Sequence, residues 1–341
     1  MFFETARQKI NTKDNFLVSQ GIVMTNEDFK TSVEKDYQRL CALTNQTINH
    51  RVRMFNSETA HKISPISLAL YHASQFSDRR FIELLKDWLG LSDGKLKFDA
   101  IDVNIVSDAG VTPVSAAIVQ YKLLRLKENL LDKKALQNMK DFKQIALKLI
   151  KMTSREYLNV ESKKTFRHPL QEAIESYDIE LVRAIIEHGL DINGLTISAD
   201  ACSPVYYTLL RIKALQNPSR TIANMKTETY ETQLKELKNI CLYLIGKTAN
   251  QDEFILRNKF TNESWTSLYY AVETDDADIC RKLIEKGANP NLYLPMANES
   301  SIPNTFLYRC IEFKAWKVLE MYLTEYADVA KVMEIHLSRL P

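Results

Sequence analysis

One stretch of this chain occurs twice. The segment HPLQEAIESYDIELVRAIIEHGLDIN, beginning at His168, corresponds without a gap to TSLYYAVETDDADICRKLIEKGANPN, beginning at Thr266, and the two starts lie 98 residues apart. Gly189 and Gly287 are separated by the same 98 residues. A fixed offset of this kind marks stacked supersecondary units, each too small to bury its own apolar face. Within the copies the pattern is helical. Leu181, Val182, Ile185 and Ile186 form a stripe at helical spacing, and the small residues Ala117, Ala173 and Ala271 stand where a first helix packs closely on its neighbours.

The run from Ile185 to Asn193 resembles the helix end and finger turn of an ankyrin repeat, and so does the run from Lys286 to Asn291. The fullest match is DVNIVSDAGVTPV, where Asp102, Asn104, Gly110, Thr112 and Pro113 fall at that family's spacing and Ser107 replaces its usual aspartate. The 98-residue offset is almost three of the family's periods of about 33 residues. Ser or Thr before Pro is a natural helix opening, because the hydroxyl accepts an orphan N–H and proline takes the first helical position at no hydrogen-bond cost. On this rule six units open at Ser64, Thr112, His168, Ser203, Thr266 and Thr305. Their second helices are expected to close at Trp88, Thr153, Gly189, Thr248, Gly287 and Tyr326. Glycine, which supplies the left-handed turn after a helix, stands at two of these closings; at the others either the turn differs or the register shifts by a residue or two.

The units opening at Thr112 and Ser203 are longer than the rest, and the extra residues fall between the first and second helices. Both insertions are rich in helix formers and read as lengthened helices with a connecting loop, broken in the second near Asn217-Pro218. Residues 1–60 lack the repeat. Phe29, Val33, Tyr37, Leu40 and Leu43 at helical spacing predict one or two helices that cover the exposed face of the first unit. The expected fold is therefore all-α: an N-terminal helical cap over residues 1–60 and an ankyrin-type solenoid with lengthened helices over residues 61–335.

Composition narrows the chemistry. No run approaches the roughly 20 apolar residues that span a bilayer, and Glu4, Arg7 and Lys9 interrupt the start where a secretory signal needs an apolar core. Five scattered cysteines without a C-x-x-C pair predict neither a disulfide framework nor a zinc site, and they fit a reducing, cytoplasmic location. Eight glycines leave no G-x-G-x-x-G or Walker loop, and no cofactor or metal is expected. His168 and His188 read as helix-end hydrogen-bonding residues, and Asp275, Asp276 and Asp278 as an exposed turn.

The net charge of +2 gives the molecule no overall field for nucleic acid or membrane. Locally, nine basic residues between Lys122 and Lys151 outnumber three acidic ones. Lys122, Arg125, Lys133, Lys134 and Lys140 could form a patch for nucleic acid or anionic lipid, against the plainer reading of a solvated helix face.

The resemblance implies a protein-binding module rather than an enzyme, with contact residues flanking each opening on the concave face. Carried over by position, the partner-binding set is Gln120, Arg167, Glu175, Arg211, Trp265, Glu273, Thr274, Asn304 and Glu312. Trp265 and Arg211 have the side chains most frequent at interface anchors. The lengthened helices and worn consensus also resemble, in style, ankyrin-containing effectors that intracellular bacteria deliver into a host cytosol to act on a host protein. The competing reading is an enzyme or its targeting arm, with thiol chemistry at Cys41 assisted by His50 or His61; against it, a lone helix cysteine is expected to be a small buried hydrophobe.

Overall fold

The computed structural model describes residues 26–50, 52–53, 62–75, 78–108, 110–161, 167–197, 202–216, 227–252, 256–257, 264–292 and 305–326. They fall in two compact units, Met1–Asp108 and Ala109–Pro341.

In the first unit, helix α1 (Asn26–Cys41) precedes a two-residue antiparallel pairing of β1 (Val52–Arg53) with β2 (Lys62–Ile63), then helices α2 (Pro65–Gln75) and α3 (Arg79–Trp88). Helix α1 packs on α2. The contact has polar and aromatic parts: Asp36 meets the His72 ring nitrogen at 2.9 Å with both side chains buried, and Tyr37 sets its ring edge against Phe81. Helix α3 buries Phe81, Ile82, Leu84, Leu85 and Trp88, the one-sided stripe of a helix that faces a core.

Among the described residues of the second unit are five helix pairs. They are α4 (Pro113–Arg125) with α5 (Lys133–Met152), followed after the single-turn α6 (Arg155–Leu158) by α7 (Pro169–Glu175) with α8 (Ile179–Glu187); then α9 (Pro204–Gln216) with α10 (Thr227–Lys247), α11 (Ser267–Val272) with α12 (Ala277–Glu285), and α13 (Phe306–Glu312) with α14 (Trp316–Glu325). First helices pack in succession from α4 to α13 and second helices from α5 to α14, which makes two helical rows with the apolar core between them. A second short antiparallel pairing, β3 (Leu256–Arg257) with β4 (Ser264–Trp265), forms the finger before α11.

All six openings read from the sequence are N-caps. Ser64, Thr112, Ser203, Thr266 and Thr305 each accept the backbone N–H three residues on, at 3.1 to 3.4 Å, and the ring nitrogen of His168 accepts that of Leu170 at 3.0 Å. The 98-residue offset, although close to three family periods, spans two units, as the openings place it. Only the unit opening at Ser203 lies between the copies, and it fills the distance because α9 and α10 have 13 and 21 residues where α7 and α8 have 7 and 9. The unit opening at Thr112 is lengthened in the same way, with 13 and 20 residues. Residues 217–226, where the break near Asn217-Pro218 was expected, lie outside the described residues.

The helix ends explain the missing glycines. Thr153 and Thr248 close α5 and α10 by donating their hydroxyls to the carbonyls of Leu149 and Leu244, at 2.7 and 2.9 Å. In the first unit the closing residue is Gly90, at φ 65°, two positions after Trp88, so the expected register was two residues short there. Gly189 is required by its φ of 111°; a Cβ there would also lie 2.5 Å from the Arg155 side chain, whose flexible end would have to move aside.

The turn between first and second helices carries a signal absent from the sequence reading. Tyr177, Asp275 and Lys314 each stand nine residues after an opening and are left-handed, with φ of 55°, 48° and 54°. Asp178 and Asp276 follow as N-caps of α8 and α12, but Ala315 offers α14 no side chain to cap it. Asp275 of the preceding pair does so instead, accepting the N–H groups of Lys317 and Val318 at 3.0 and 3.3 Å. Asp275→Gly keeps the left-handed turn easy and removes only this cap. It is expected to cost about 1 kcal/mol and to speed amide exchange in the first turn of α14, whereas Asp275→Asn, which still accepts, should change little.

Candidate interaction surface

The lengthened helices hold the shorter units beside them. Lys122 and Lys213 each stand ten residues after an opening, on the extra turns of α4 and α9, and each reaches the glutamate seven residues after the next opening: Lys122 to Glu175 at 3.1 Å, Lys213 to Glu273 at 3.5 Å. The second row repeats the device. Lys143 on α5 and Lys238 on α10 each precede their closing threonine by ten residues, and they pair with the capping aspartates Asp178 and Asp276 at 2.7 and 2.6 Å. A first helix of ordinary length would not extend to Lys122 or Lys213, whereas the positions of Lys143 and Lys238 fall within a second helix of ordinary length. Each long unit and the following short unit thus form a clamped pair, with the first-row clamp standing on residues that the lengthening adds, and the Thr112–His168 and Ser203–Thr266 pairs are two copies of one two-unit module.

On the first-helix row the structure brings Arg167, Glu175 and Arg211 into one network drawn from three successive units. Glu172 and Glu175 on α7 share Lys122 and Arg167. The Tyr207 hydroxyl on α9 donates to Glu175 and accepts from the Gln171 amide, at 3.1 Å for the latter. Burial by itself would raise the Glu175 carboxyl, but Lys122 and Arg167 beside it reverse that and hold it down at about 2. Arg211 is half-buried next to Tyr177, Glu175 and Tyr207, and its Nε–H has no hydrogen-bond partner.

The remaining expected contacts are more dispersed. Gln120 is half-buried on α4. Glu273 is half-buried with Lys213, and burial raises its carboxyl against the opposing pull of that lysine. Glu312 is exposed and pairs with Arg309 at 2.7 Å, and both Lys213 and Arg309 lie over the Phe313 ring. Thr274 is 4% exposed, with its hydroxyl donated to the Ala271 carbonyl at 2.7 Å, so this side chain is occupied in closing its own helix. Ser176 does the same one module earlier. The Trp265 backbone pairs with Leu256 in the finger, while its side chain and the whole of Asn304 lie outside the described residues. Glu172, Tyr207, Lys213 and Arg309 were missed and Lys122 was read only as part of the basic patch, although the lysine ten residues after both long openings was visible as a recurrence.

The basic patch does not stay together. Lys122 and Arg125 are consumed by ion pairs, the latter with Glu128, and only Lys133, Lys134 and Lys140 are exposed. The opposite side of α5 buries Met139, Phe142, Ile145, Ala146, Leu149 and Ile150. His168 and His188 are helix-end residues: with its Nδ1 accepting, His168 donates through Nε2 to Asn159 at 3.1 Å, and His188 meets the Thr153 carbonyl at 2.9 Å. In the acidic turn Asp276 pairs with Lys238 and Asp278 with Arg281.

Four cysteines, Cys202, Cys241, Cys280 and Cys310, are fully buried, and burial pushes the last three thiols up, Cys310 to about 12. Such thiols are poor nucleophiles. Cys41, contrary to the expectation of a buried hydrophobe, is exposed at the end of α1, where it shares a hydrogen bond with Tyr37; His50 is exposed and His61 lies outside the described residues. No described helix is long and apolar enough to cross a membrane.

No curated protein matches the chain by sequence. Residues 263–293 match the family model of the ankyrin repeat. Solved structures similar to the chain include the ankyrin repeat domain of human ASB11, at 15% identity and TM-score 0.40 over 78% of this chain and 85% of that one. The ankyrin repeat domain of Bcl-3, a member of the IkappaB family, aligns at 13% identity and TM-score 0.41 over 78% and 87%. A chain of the complex between the Bdellovibrio bacteriovorus predatory endopeptidase Bd0816 and immunity protein Bd3460 aligns at 14% identity and TM-score 0.38 over 75% and 97%. Residues 263–293 thus match an ankyrin repeat; the left-handed turn and closing glycine of that unit recur in the pair opening at His168, and its hydroxyl cap recurs at Thr112, Ser203 and Thr305, so the helix pairs of the second unit follow an ankyrin-like pattern that has diverged between them.

Proposed function

We propose that the chain is a non-catalytic interaction protein that binds a partner protein through the first-helix face of its second unit. Ankyrin repeats generally mediate protein–protein interaction. The observation that carries the reading here is the network around Glu175, in which three successive units contribute charged side chains already fixed in place. A prefixed polar surface loses less side-chain entropy when a partner docks. Gln120, Arg167, Arg211, Glu273 and Glu312, with Trp265 and Asn304 at the finger edge, are the proposed contacts; Glu175 and Thr274 hold that surface in shape. Residues 26–50 act in this scheme as a cap over α2 and α3, a role supported by the buried Asp36–His72 contact. The narrower reading, an effector acting on a host protein in the host cytosol, is supported by the style of its repeats alone.

The test is site-specific photo-crosslinking with a benzophenone amino acid in place of Gln120 on α4 or of Gln144 on α5. Both are glutamines of the same unit, and they lie on different helical rows. Partner adducts from position 120 and not from position 144 are expected. Adducts from 144 alone would move the interface to the second-helix row and end this reading.

A further inference from the structure

The residue eight positions after each opening is neutral in four of the six units. Gln120, Ser176, Thr274 and Phe313 occupy it, and Ser176 and Thr274 spend their hydroxyls on their own helices. The other two put a basic group there: His72 in the unit opening at Ser64 and Arg211 in the unit opening at Ser203. His72 receives a carboxylate, Asp36 on helix α1, at 2.9 Å. Arg211 does not. Along the first-helix face, Lys122 and Arg167 pair with Glu172 and Glu175, Arg125 with Glu128, Lys213 with Glu273 and Arg309 with Glu312. Arg211 makes no ion pair with a described carboxylate.

Around Arg211 stand Tyr177, which shares a hydrogen bond with it, Glu175 and Tyr207, and the carboxylates of the preceding and the next unit are already divided among other donors. Glu175 already accepts from Lys122, Arg167 and Tyr207. Glu273, in the next unit, is engaged by Lys213 through both its carboxylate and its backbone carbonyl, the latter at 2.6 Å. Among the described residues the face therefore carries one guanidinium without an ion pair of its own, half-buried, hydrogen-bonded to Tyr177 and with its Nε–H unsatisfied. A guanidinium in that state is costly without a counter-charge and binds a planar, bidentate acceptor best.

We infer that Arg211 is the recognition point for an acidic side chain, Asp or Glu, presented by the partner protein on the first-helix face, as Asp36 is presented to His72 within this chain. The inference rests on the proposed interaction face and adds the chemistry that the face selects. Charge complementarity fixes the occupant as a carboxylate-bearing protein segment.

The probe is a glutamate octapeptide, titrated into the full chain at constant ionic strength, with a lysine octapeptide and inorganic phosphate as comparison arms. The readout is the 15Nε–Hε resonance of Arg211, assigned by its loss in Arg211→Gln. The glutamate peptide is expected to shift this resonance saturably, the lysine peptide to leave it in place, and Arg211→Gln to weaken the glutamate peptide about tenfold. Arg211→Lys, which keeps the charge without the fork, should retain part of the binding, and an unchanged circular-dichroism melt shows either variant to be folded. No saturable shift, or glutamate affinity unaltered in both folded variants, overturns the inference. An equal shift with phosphate at the same concentration also overturns it, since the site would then take any anion. If position 120 still crosslinks a partner after such a failure, the interaction face stands and only its preference for acidic groups is lost; if crosslinking fails as well, both go.

Discussion

Replacing Lys122 by methionine is expected to lower the stability of the second unit by about 3 kcal/mol, the low end of the range for orphaning a buried charge. The ammonium is shared by Glu172 and Glu175, whose side chains are 5% and 12% exposed, and methionine fills much of the same volume without answering either carboxylate. Arg167 still pairs with both, which keeps the loss from the upper end of that range. The equivalent change in the second module, Lys213→Met, should cost under about 1 kcal/mol, because Lys213 is 26% exposed and stands 3.5 Å from a single carboxylate that burial already disfavours as an ion. Urea unfolding followed by circular dichroism measures both. The double variant of Lys122→Met with Glu175→Gln should recover part of the first loss by removing one of the stranded charges. Equal losses for Lys122→Met and Lys213→Met would show that the clamps owe nothing to burial.

The contrast between these lysines also shows what the sequence could and could not convey. The openings were legible because an N-cap is local chemistry: a hydroxyl, or the His168 ring, followed by a helix start needs no knowledge of the rest of the fold. The lengthened helices were legible from composition. What the insertions do was not, because Lys122 and Glu175 lie 53 residues apart and meet only through the packing of successive first helices. The openings placed one unit, that of Ser203, between the copies, as the structure does; the near-multiple of the family's period of about 33 residues alone could not separate three short units from one short and one long. At Thr153 and Thr248 the sequence left open a different turn or a shifted register; the turn differs, because a threonine hydroxyl ends the helix by donating to the carbonyl four residues back. Of the expected contact residues, Arg167, Glu175 and Arg211 were found by position in the repeat, while their mutual charge balance, which distinguishes Arg211, required the three-dimensional neighbours.

Substituting His168 by threonine, the residue at three of the other openings, is expected to remove most of the protein's pH sensitivity between 6.5 and 4. His168 is 3% exposed, and burial holds its ring neutral, with the pKa pushed down to about 4. The unfolded chain takes up a proton near pH 6.5 that the folded chain refuses until about 4. The contribution is therefore complete above 6.5, is lost progressively as the pH falls to 4, and is constant below; over that window it amounts to about 3 kcal/mol. Threonine preserves the cap on Leu170 and has nothing to protonate, so the variant should lie within about 1 kcal/mol of the parent at pH 7.5 and gain about 2 kcal/mol on it by pH 5. Glu175 contributes with the opposite chemistry in a lower window: its depressed carboxyl adds stability that is complete above about 4.5 and disappears as the pH falls toward 2. The acid limb of the wild type should thus have two steps, the upper reduced by His168→Thr and the lower, to which the depressed carboxyl of Asp178 also contributes, diminished by Glu175→Gln. Stability curves for wild type and His168→Thr that run parallel from pH 7 to pH 4 would mean that the ring is solvated enough to titrate normally, and the cap would then carry no pH dependence at all.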